Sequence, residues 1–290
     1  MNDLRDRVIC IVGASSGIGH ATALECAKAG MHVAVAARRI DRLETLARAI
    51  ESEGTSALPI TCDVLSDAEV AAAIDQCVER FGRLDAVIAN AGYGHEGCVV
   101  DLADESLRRI FEVNFFGTVR VAREAVRVFR RQQRGHLLIT SSCLSRFTLP
   151  YYAAYSATKA AQTQVARSLR LELLREQIDV SVIHPITTTT EFHDASADAS
   201  GTSRRGVPKH APRMFVQPPE RVARAIVRCL RRPRAEVWTS HITRLVAGAM
   251  VAFPRFHDFC TRRELALRSA HLDAAAPPAK PEVAAQNTAL

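Results

Sequence analysis

Short apolar runs alternate with longer amphipathic stretches along most of this chain. Seven runs of four to six residues are rich in Val, Ile, Leu and Ala, and they cover residues 8–12, 32–36, 56–61, 86–89, 136–140, 180–184 and 236–239. Nearly continuous apolar runs are typical of strands buried on both faces, and the stretches between them have helical periodicity. The pattern therefore predicts an α/β fold, a doubly wound parallel sheet of seven strands with helices on both faces.

Two segments depart from this alternation. Residues 187–219 are rich in Thr, Ser, Asp, Gly and Pro and are too long for an ordinary connection, which predicts a substrate loop or lid. Residues 273–290 are biased to Ala and Pro without apolar periodicity, and we expect them to be disordered. The chain is thus divided into one α/β domain over residues 1–240, a helical extension over 241–272 and a tail.

Composition narrows the function classes. The 290 residues are 48 % hydrophobic and 24 % charged with a mean hydropathy of -0.01, which fits a globular domain and excludes a bundle of membrane spans. The N-terminus lacks the regions of a secretory signal, so we expect a cytoplasmic protein. The longest apolar stretch, residues 245–254, has about half of the ~20 residues that a spanning helix needs. The eight cysteines are scattered without zinc-ligand spacing, so we expect no metal site and a reducing compartment.

Positive charge is concentrated near the C-terminus. Residues 204–268 hold fifteen Arg or Lys against four Asp or Glu, a net +11, so that the total of +7 leaves −4 for everything else. Such asymmetry allows an anionic partner such as a membrane surface, nucleic acid or an acidic protein. A solvated face is the simpler interpretation, and we expect no nucleic-acid partner because no aromatic interleaving accompanies the arginines.

A glycine-rich motif follows the first predicted strand and opens a helix. It reads Gly13-Ala-Ser15-Ser16-Gly17-Ile18-Gly19. Glycines allow a close backbone approach to a phosphate, and a helix N-terminus offers unpaired N–H donors and a positive dipole end. The motif in this setting predicts a dinucleotide-binding site.

The end of the second predicted strand carries Arg38 and Arg39. An acidic residue here would accept hydrogen bonds from the ribose of NAD and repel a 2′-phosphate, whereas arginines attract that phosphate. Ala37 and Arg38 at this strand end therefore favour NADP as the cofactor. The alternative is two surface arginines at a strand end, in a chain that has 34 of them.

A candidate acid/base pair lies in a helical stretch. Tyr155 and Lys159 are four residues apart and therefore share one helix face. A neighbouring ammonium stabilises phenolate and so lowers the pKa of a tyrosine toward neutrality. Lysine is rare here, with four against 34 arginines, and its compact charge suits this task. A chance pair on a helix is the alternative.

Five motifs together resemble those of the short-chain dehydrogenase/reductase family. They are, in chain order, Gly13-x-x-x-Gly17-x-Gly19, Asn90-Ala91-Gly92, Asn114, Ser142 and Tyr155-x-x-x-Lys159. The resemblance covers roughly residues 5 to 240. It implies a Rossmann-type sheet, hydride transfer between a nicotinamide cofactor and an alcohol or carbonyl carbon, and a homodimer or homotetramer.

The resemblance also implies roles for four residues in catalysis. Tyr155 would be the general acid/base and Ser142 would hydrogen-bond the substrate oxygen. Lys159 would hold the cofactor ribose and lower the pKa of Tyr155, and Asn114 would connect a chain of waters to Lys159. Ser142 could instead end its strand by satisfying local backbone donors.

Further residues are implied in cofactor binding. Asp63 and Val64 follow the third predicted strand, where Asp63 resembles the acid that contacts adenine, and Asn90, Ala91 and Gly92 would border the adenosine. Pro185, Thr188 and Thr190 correspond to the loop that holds the nicotinamide carboxamide and the pyrophosphate.

The sequence departs from the family at three points. Val12 stands where a threonine is common, which should matter little. Ile186 replaces the usual glycine after Pro185, and because a β-branched residue does not adopt positive φ cheaply, we expect the loop to follow a different path. The chain also continues about 45 residues past the last predicted strand.

Several other features keep two interpretations. Tyr151 and Tyr152, with Leu144, Phe147 and Leu149, line an apolar substrate cleft or pack internally. His184 and Cys143 are expected to be packing residues. Phenylalanines at 253, 256 and 259 have helical spacing between arginines, which fits internal packing, a cover for the active site, a subunit contact or an interfacial membrane helix.

The function predicted from the sequence is an NADP-dependent reductase or dehydrogenase. Its substrate is a small to medium, partly apolar carbonyl compound or secondary alcohol. The alternatives are a non-catalytic NADP-binding regulator and a membrane-surface reductase that acts on a lipid-like substrate.

Overall fold

The computed structural model describes residues 3–201, 206 and 213–273 of the chain. The described strands are β1 (Val8–Val12), β2 (His32–Ala37), β3 (Ala57–Thr61), β4 (Ala86–Ala89), β5 (Gly135–Thr140), β6 (Ile178–His184), β7 (Thr187–Thr188), β8 (Val216–Gln217) and β9 (Glu236–Trp238). All seven strands predicted from the apolar runs are confirmed, with ends that differ by two residues or fewer.

The seven long strands form one parallel sheet in the order β3-β2-β1-β4-β5-β6-β9. The strand order reverses between β1 and β4, which both leave the sheet at its carboxyl edge. Open α/β sheets bind ligands in the crevice outside such a reversal. The Rossmann-type fold is therefore confirmed, and it positions a site at this edge.

Ten helices accompany the sheet in the described residues. They are α1 (Gly17–Lys28), α2 (Ile40–Glu51), α3 (Asp67–Phe81), α4 (Asp104–Phe111), α5 (Gly117–Gln132), α6 (Ala153–Glu172), α7 (Phe192–Ser200), α8 (Pro219–Arg231), α9 (His241–Ala252) and α10 (Pro254–Asp273). One apolar core lies between the sheet and α3, α5 and α6, and a second lies between the other face and α1, α2 and α8. The sheet is buried on both faces because these two layers cover it, which explains its uninterrupted apolar strands.

Local sequence signals set the helix ends. The hydroxyl of Ser66 accepts a hydrogen bond from the Glu69 backbone N–H at 3.2 Å and so caps α3. The same helix ends at Gly82, whose φ of +71° is the left-handed conformation that terminates helices. The N-terminal end of α3, at Ser66, lies next to Asp63 and Val64 and so positions the loop after β3 at the edge where the site forms.

The predicted substrate loop has more structure than its composition indicates. Within 187–219, β7 pairs with β8 in parallel and α7 lies between them. Residues 202–205 and 207–212 of this loop lie outside the described residues, and so do residues 274–290 of the predicted tail over 273–290. Asp273, the first residue of that tail, is the last residue of α10. Both ends of the loop are thus tied together beside the carboxyl edge of the sheet.

The C-terminal extension consists of two helices rather than one. Phe253 is the C-cap of α9, and Pro254 begins α10. Proline has no backbone N–H and its ring clashes with the preceding turn, so it is favoured at the start of a helix and excluded from its interior. The expectation that Phe253, Phe256 and Phe259 share one continuous helix is therefore wrong for Phe253. No helix among the described residues is long and apolar enough to cross a membrane.

Candidate active site

The loop between β1 and α1 forms a cradle beside the loop that follows β4. Gly13 has a φ of +94° and Gly17 a φ of +59°, which is the region that favours glycine. A Cβ on Gly13 would lie 2.5 Å from the backbone N of Ala91, and one on Gly19 would lie 2.2 Å from the carbonyl oxygen of Gly13. Gly13 and Gly19 are thus required by the packing of the two loops, in addition to any ligand.

The N-terminus of α1 is arranged for an anion. Ser16 occupies the N-cap without capping the helix through its side chain, and no acidic residue lies in the first turn. Asn90 reinforces the cradle, since its side-chain amide donates to the Gly13 carbonyl at 2.8 Å. Backbone N–H groups left uncapped at a helix N-terminus bind phosphate readily.

Arg39 bridges the cradle to the substrate loop. Its guanidinium donates to the hydroxyls of Ser15 at 2.9 Å and Ser16 at 3.0 Å, and to the carboxylate of Glu191 at 3.2 Å. Arg42 on α2 donates to the same carboxylate at 2.6 Å, and this guanidinium holds the pKa of Glu191 below its usual range. Glu191, which the sequence analysis did not single out, therefore competes with any anionic ligand for Arg39.

Arg38 lies at the end of β2 beside this cluster. Its side chain is exposed and lines the same cavity as Ser15 and Ser16. Both arginines predicted to bind the cofactor thus line the cavity, and Arg39 is hydrogen-bonded to the cradle.

Helix α6 presents the predicted acid/base pair to the end of β5. Lys159 is buried, and its ammonium donates to the carbonyl of Thr140 at 3.0 Å. The same Nζ lies 5.6 Å from the centre of the Tyr155 ring. The structure therefore brings these two side chains together, as their spacing predicts.

Burial dominates the protonation of this pair in the protein alone. Desolvation raises the pKa of Tyr155, and the neighbouring Ser142 hydroxyl acts in the opposite direction. Desolvation also lowers the pKa of Lys159 to about 7. Removal from water disfavours the charged form of each group, so both shifts have the same cause. A positive charge bound beside Tyr155 would favour its phenolate.

Ser142 follows β5 and begins a short 3₁₀ turn. Its hydroxyl accepts a hydrogen bond from the Leu144 backbone N–H at 3.1 Å, so the expected local role is present as well as the position beside Tyr155. His184, at the end of β6, is fully buried and its Nδ1 lies 3.0 Å from the Ser142 carbonyl. Its ring stacks on Trp238 at 4.5 Å. His184 is a packing residue, as expected, and it also fixes the backbone of Ser142.

Asn114 lies beneath the site on a π-helical turn, Glu112–Phe116, between α4 and α5. Its amide accepts from the Tyr93 N–H at 3.0 Å and donates to the Tyr93 carbonyl at 2.9 Å and to the Thr158 hydroxyl at 3.1 Å. A Cβ on Gly92 would meet the Asn114 Oδ1 at 2.9 Å and the Lys159 Nζ at 3.7 Å. Asn114 is therefore adjacent to Lys159, and the bonds that the structure gives it hold the loop after β4.

The loop after β3 holds Asp63, the residue predicted to contact adenine. The carboxylate of Asp63 accepts from the Leu65 N–H at 3.1 Å, and its own backbone N–H donates to Glu69 at 2.9 Å. Val64 is buried, and its side chain lies 2.9 Å from a Cβ built on Gly117. These contacts fix both residues on the cavity wall.

Ile186 does not adopt the positive φ that a β-branched residue disfavours. It is buried and is absent from the described residues that have positive φ. Thr188 donates to the Ile186 carbonyl at 2.8 Å, and a Cβ on Gly17 would lie 3.1 Å from Thr190. The loop therefore returns to the cradle with Thr190 against Gly17, and the different path expected from Ile186 stays a prediction.

One cavity of about 990 Å³ joins these parts. Its lining includes the following residues from the sequence analysis: Gly13, Ser15, Ser16, Gly17, Ile18, Arg38, Arg39, Asp63, Val64, Asn90, Ala91, Gly92, Ser142, Tyr155, Lys159, Pro185, Thr188 and Thr190. Gly19 and Asn114 lie behind the wall rather than on it. A cavity near the upper end of the usual ~300–1,000 Å³ has room for a cofactor and a substrate together.

The far wall of the cavity contains residues that motif reasoning missed. Phe192 on α7 packs its ring against Tyr155 at a centroid distance of 5.5 Å. Val246 and Met250 on α9 and Cys260 on α10 also line the cavity. The spacing of Val246 and Met250, four residues apart on a helix, was the available signal that this extension has an inward face.

The predicted apolar cleft is partly confirmed. Leu144, Phe147, Leu149 and Tyr152 line the cavity, whereas Tyr151 does not. Burial raises the pKa of the Cys143 thiol to about 11, which disfavours its thiolate at neutral pH. Among the described residues no three His, Cys, Asp or Glu side chains form a group that could hold a metal ion.

Comparisons with known proteins agree with this geometry. The family model described as short chain dehydrogenase matches residues 7–200. The uncharacterized oxidoreductase YxnA of Bacillus subtilis is 31 % identical over 261 residues, which are 89 % of this chain and 72 % of that protein. Dehydrogenase/reductase SDR family member 7B of Mus musculus is 32 % identical over 207 residues, and the chain spans 63 % of that protein's length.

A solved structure extends the agreement to the fold. An alcohol dehydrogenase from the archaeon Thermococcus sibiricus, in complex with 5-hydroxy-NADP, has a TM-score of 0.69 and 30 % identity over 80 % of this chain and 95 % of that one. The chain belongs to the short-chain dehydrogenase/reductase family and is an oxidoreductase that acts on the CH–OH group of small molecules or on the corresponding carbonyl. Structures of this fold hold NAD, NADH or an NADP derivative.

Proposed function

We propose that this protein interconverts a carbonyl and a secondary alcohol with NADP(H), with Tyr155 as general acid/base. The observation that carries the proposal is the convergence of Ser142, Tyr155 and Lys159 with the phosphate cradle on one cavity. A protein that only bound the cofactor would need the cradle but not the buried acid/base pair.

The cofactor site fits a nicotinamide dinucleotide. The uncapped N-terminus of α1 suits the pyrophosphate, and Asp63, which lines the same cavity, would contact the adenine. Arg38 and Arg39 favour a 2′-phosphate because guanidinium groups bind phosphate with charge-assisted hydrogen bonds. Pro185, Thr188 and Thr190 line the same cavity and would hold the nicotinamide and the pyrophosphate.

The residues of the chain supply the proton and the electrostatic stabilisation. When bound, NADPH supplies the hydride that reaches the carbonyl carbon. Tyr155 donates its phenolic proton to the carbonyl oxygen, so the product is the neutral alcohol and the phenolate remains. Ser142 donates a hydrogen bond to that oxygen as charge develops, and the Lys159 ammonium stabilises the phenolate.

The substrate is proposed to be small to medium and partly apolar. Leu144, Phe147, Val246 and Met250 give the substrate end of the cavity its apolar character. Hydrophobic walls with a few oriented polar groups are the usual composition of such sites. We also propose a homodimer or homotetramer, which sedimentation velocity would distinguish from a monomer.

An enzymatic test follows NADPH and NADH consumption over a panel of aldehydes, ketones and quinones. We expect turnover with NADPH in preference to NADH, and a loss of about 100-fold or more in Ser142→Ala because one oriented donor to the substrate oxygen is removed. Ser168→Ala, on the exposed side of α6, is the matched control and should retain full activity.

A non-catalytic regulator predicts a different result. Tight NADPH binding with no turnover of any panel member, and equal behaviour of Ser142→Ala and wild type, would favour that alternative.

A further inference from the structure

Helices α9 and α10 expose several large apolar side chains. The exposed fractions are 75 % for Leu245, 60 % for Val251, 65 % for Phe253 and 76 % for Phe259. Single exposed apolar residues are common on proteins, but aromatic and aliphatic groups concentrated on two consecutive helices mark an interaction surface. These four residues, with Arg244, Arg255 and Arg262, are called the outer face below.

The opposite side of the same two helices is held against the protein. Thr243 and Ala247 are buried, and Val246, Met250 and Cys260 line the cavity of the active site. The ring of His257 lies 3.0 Å from the Thr148 carbonyl, which ties α10 to the loop after β5. The inward side thus accounts for the folding of the extension, and the outer face is not needed for it.

The outer face is positively charged as well as apolar. Arg244, Arg255 and Arg262 are exposed. Against these three basic side chains, residues 241–262 contain one acidic side chain, that of Asp258. The carboxylate of Asp258 lies 3.6 Å from Nδ1 of the neighbouring His257. Phenylalanine beside arginine on the exposed side of a helix is the composition that binds the boundary between lipid headgroups and acyl chains.

Two other occupants fit the outer face less well. A second copy related by two-fold symmetry would bring the arginines of one face toward those of the other, and like charges repel at an interface. Residues 274–290 of this sequence hold Val283 and Leu290 as their large apolar side chains and carry one Lys and one Glu. They offer neither the apolar area nor the negative charge that this surface calls for.

We propose that the outer face of α9 and α10 docks the protein on an anionic phospholipid membrane surface. The phenylalanines and Leu245 enter the headgroup boundary, and the arginines contact lipid phosphates. Because the inward side of the same helices forms a wall of the active site, docking brings the cavity close to the bilayer. This docking does not depend on the activity proposed above.

Vesicle flotation with the full-length protein tests the proposal. The probes are vesicles of phosphatidylcholine with about 30 % phosphatidylglycerol and vesicles of phosphatidylcholine alone. We expect flotation with the anionic vesicles at low salt, and much less with neutral vesicles or at 1 M salt, where charges are screened beyond about 3 Å.

Variants separate the outer face from general hydrophobicity and charge. Phe253→Ser with Phe259→Ser should lower the vesicle partition coefficient at least about tenfold, because two aromatic groups that would enter the headgroup boundary are lost. Leu171→Ser with Leu174→Ser is the matched control, because these side chains are equally exposed at the opposite edge of the sheet. It should float like wild type.

A second pair of variants tests the contribution of the arginines. Arg255→Gln with Arg262→Gln should weaken anionic-vesicle binding several-fold, and Arg231→Gln with Arg232→Gln, which removes the same charge at the end of α8, should not. All variants should keep the wild-type melting temperature and rate of cofactor oxidation.

Two results would overturn the proposal. One is the absence of wild-type flotation on anionic vesicles at low salt. The other is an outer face used for self-association: a dimer by light scattering that becomes a monomer in Phe253→Ser with Phe259→Ser, with vesicle binding equal in both proteins.

Discussion

At the scale of single residues, the candidate site depends on ionisable groups held out of water. The ammonium of Lys159 donates a hydrogen bond to the carbonyl of Thr140, and burial lowers the pKa of this lysine to about 7. Tyr155 is buried beside it, with a raised pKa. Such perturbed groups in a cleft are expected where a protein moves protons.

The lowered pKa of Lys159 makes stability depend on pH. Between pH 7 and pH 10.5 the unfolded chain binds a proton at this lysine that the folded chain does not, so the free energy of unfolding rises with pH. Lys159→Met lacks this titration. We expect the stability of wild type relative to Lys159→Met, both free of cofactor, to increase by about 2 kcal/mol from pH 7 to pH 9.

Urea unfolding of the two proteins at several pH values measures this difference. Groups that titrate equally in both proteins cancel in the comparison. Stability curves that run parallel from pH 7 to pH 9 would show that Lys159 keeps an ordinary pKa in the fold.

Residues that belong to a short sequence motif were predictable. Residues whose contacts come from distant parts of the chain were not. Tyr155 and Lys159 share a helix face at a spacing visible in the sequence. His184 reaches Ser142 from another strand, and Glu191 reaches Arg39 across the cavity mouth. No sequence spacing encodes these contacts, because strand order and loop path bring the partners together.

At the scale of elements, one ion-pair cluster connects the substrate loop to the cofactor cradle. Glu191 accepts from Arg39 and Arg42, which belong to the end of β2 and the start of α2. All three side chains are roughly half exposed, so each pair contributes at most about 1 kcal/mol. A cofactor with a 2′-phosphate has to share Arg39 with this carboxylate.

Removing the carboxylate should therefore favour NADPH selectively. We expect Glu191→Gln to lower the Kd for NADPH about two- to fivefold, because Arg39 no longer exchanges one anion for another, while the Kd for NADH changes by less than about twofold. Titration calorimetry measures both constants. Glu176→Gln, which removes an exposed partner of Arg130 away from the site, is the matched control.

The opposite outcome is informative about the loop. If Glu191→Gln weakened NADPH and NADH by the same factor, Glu191 would hold the substrate loop in place rather than compete for Arg39.

Elements with strong periodicity were predicted well, and composition alone misled elsewhere. The sheet strands agree with the apolar runs because burial on both faces demands such runs. The 187–219 segment looked irregular, yet α7 and the β7–β8 pair lie within it, since tertiary contacts compensate for its weak propensities. Pro254 carried a local signal, a helix start, which the apolar spacing of the phenylalanines obscured.

At the scale of the whole molecule, separate parts of the chain converge on one cavity. The cradle comes from the start of the chain, the acid/base pair from its middle and the far wall from α9 and α10. The parallel sheet makes this possible, since its carboxyl edge gathers the ends of consecutive strands. The fold and the convergence of Ser142, Tyr155 and Lys159 on one cavity were predictable from the sequence, whereas the far wall was not.

The central claim is that Tyr155 is the proton donor of a working reductase. We would measure kcat and the Kd for NADPH of wild type and Tyr155→Phe with a substrate found in the carbonyl panel. We expect kcat to fall at least about 100-fold, the usual contribution of a positioned acid, and the Kd for NADPH to change by less than about twofold. Turnover by Tyr155→Phe at the wild-type rate would contradict it.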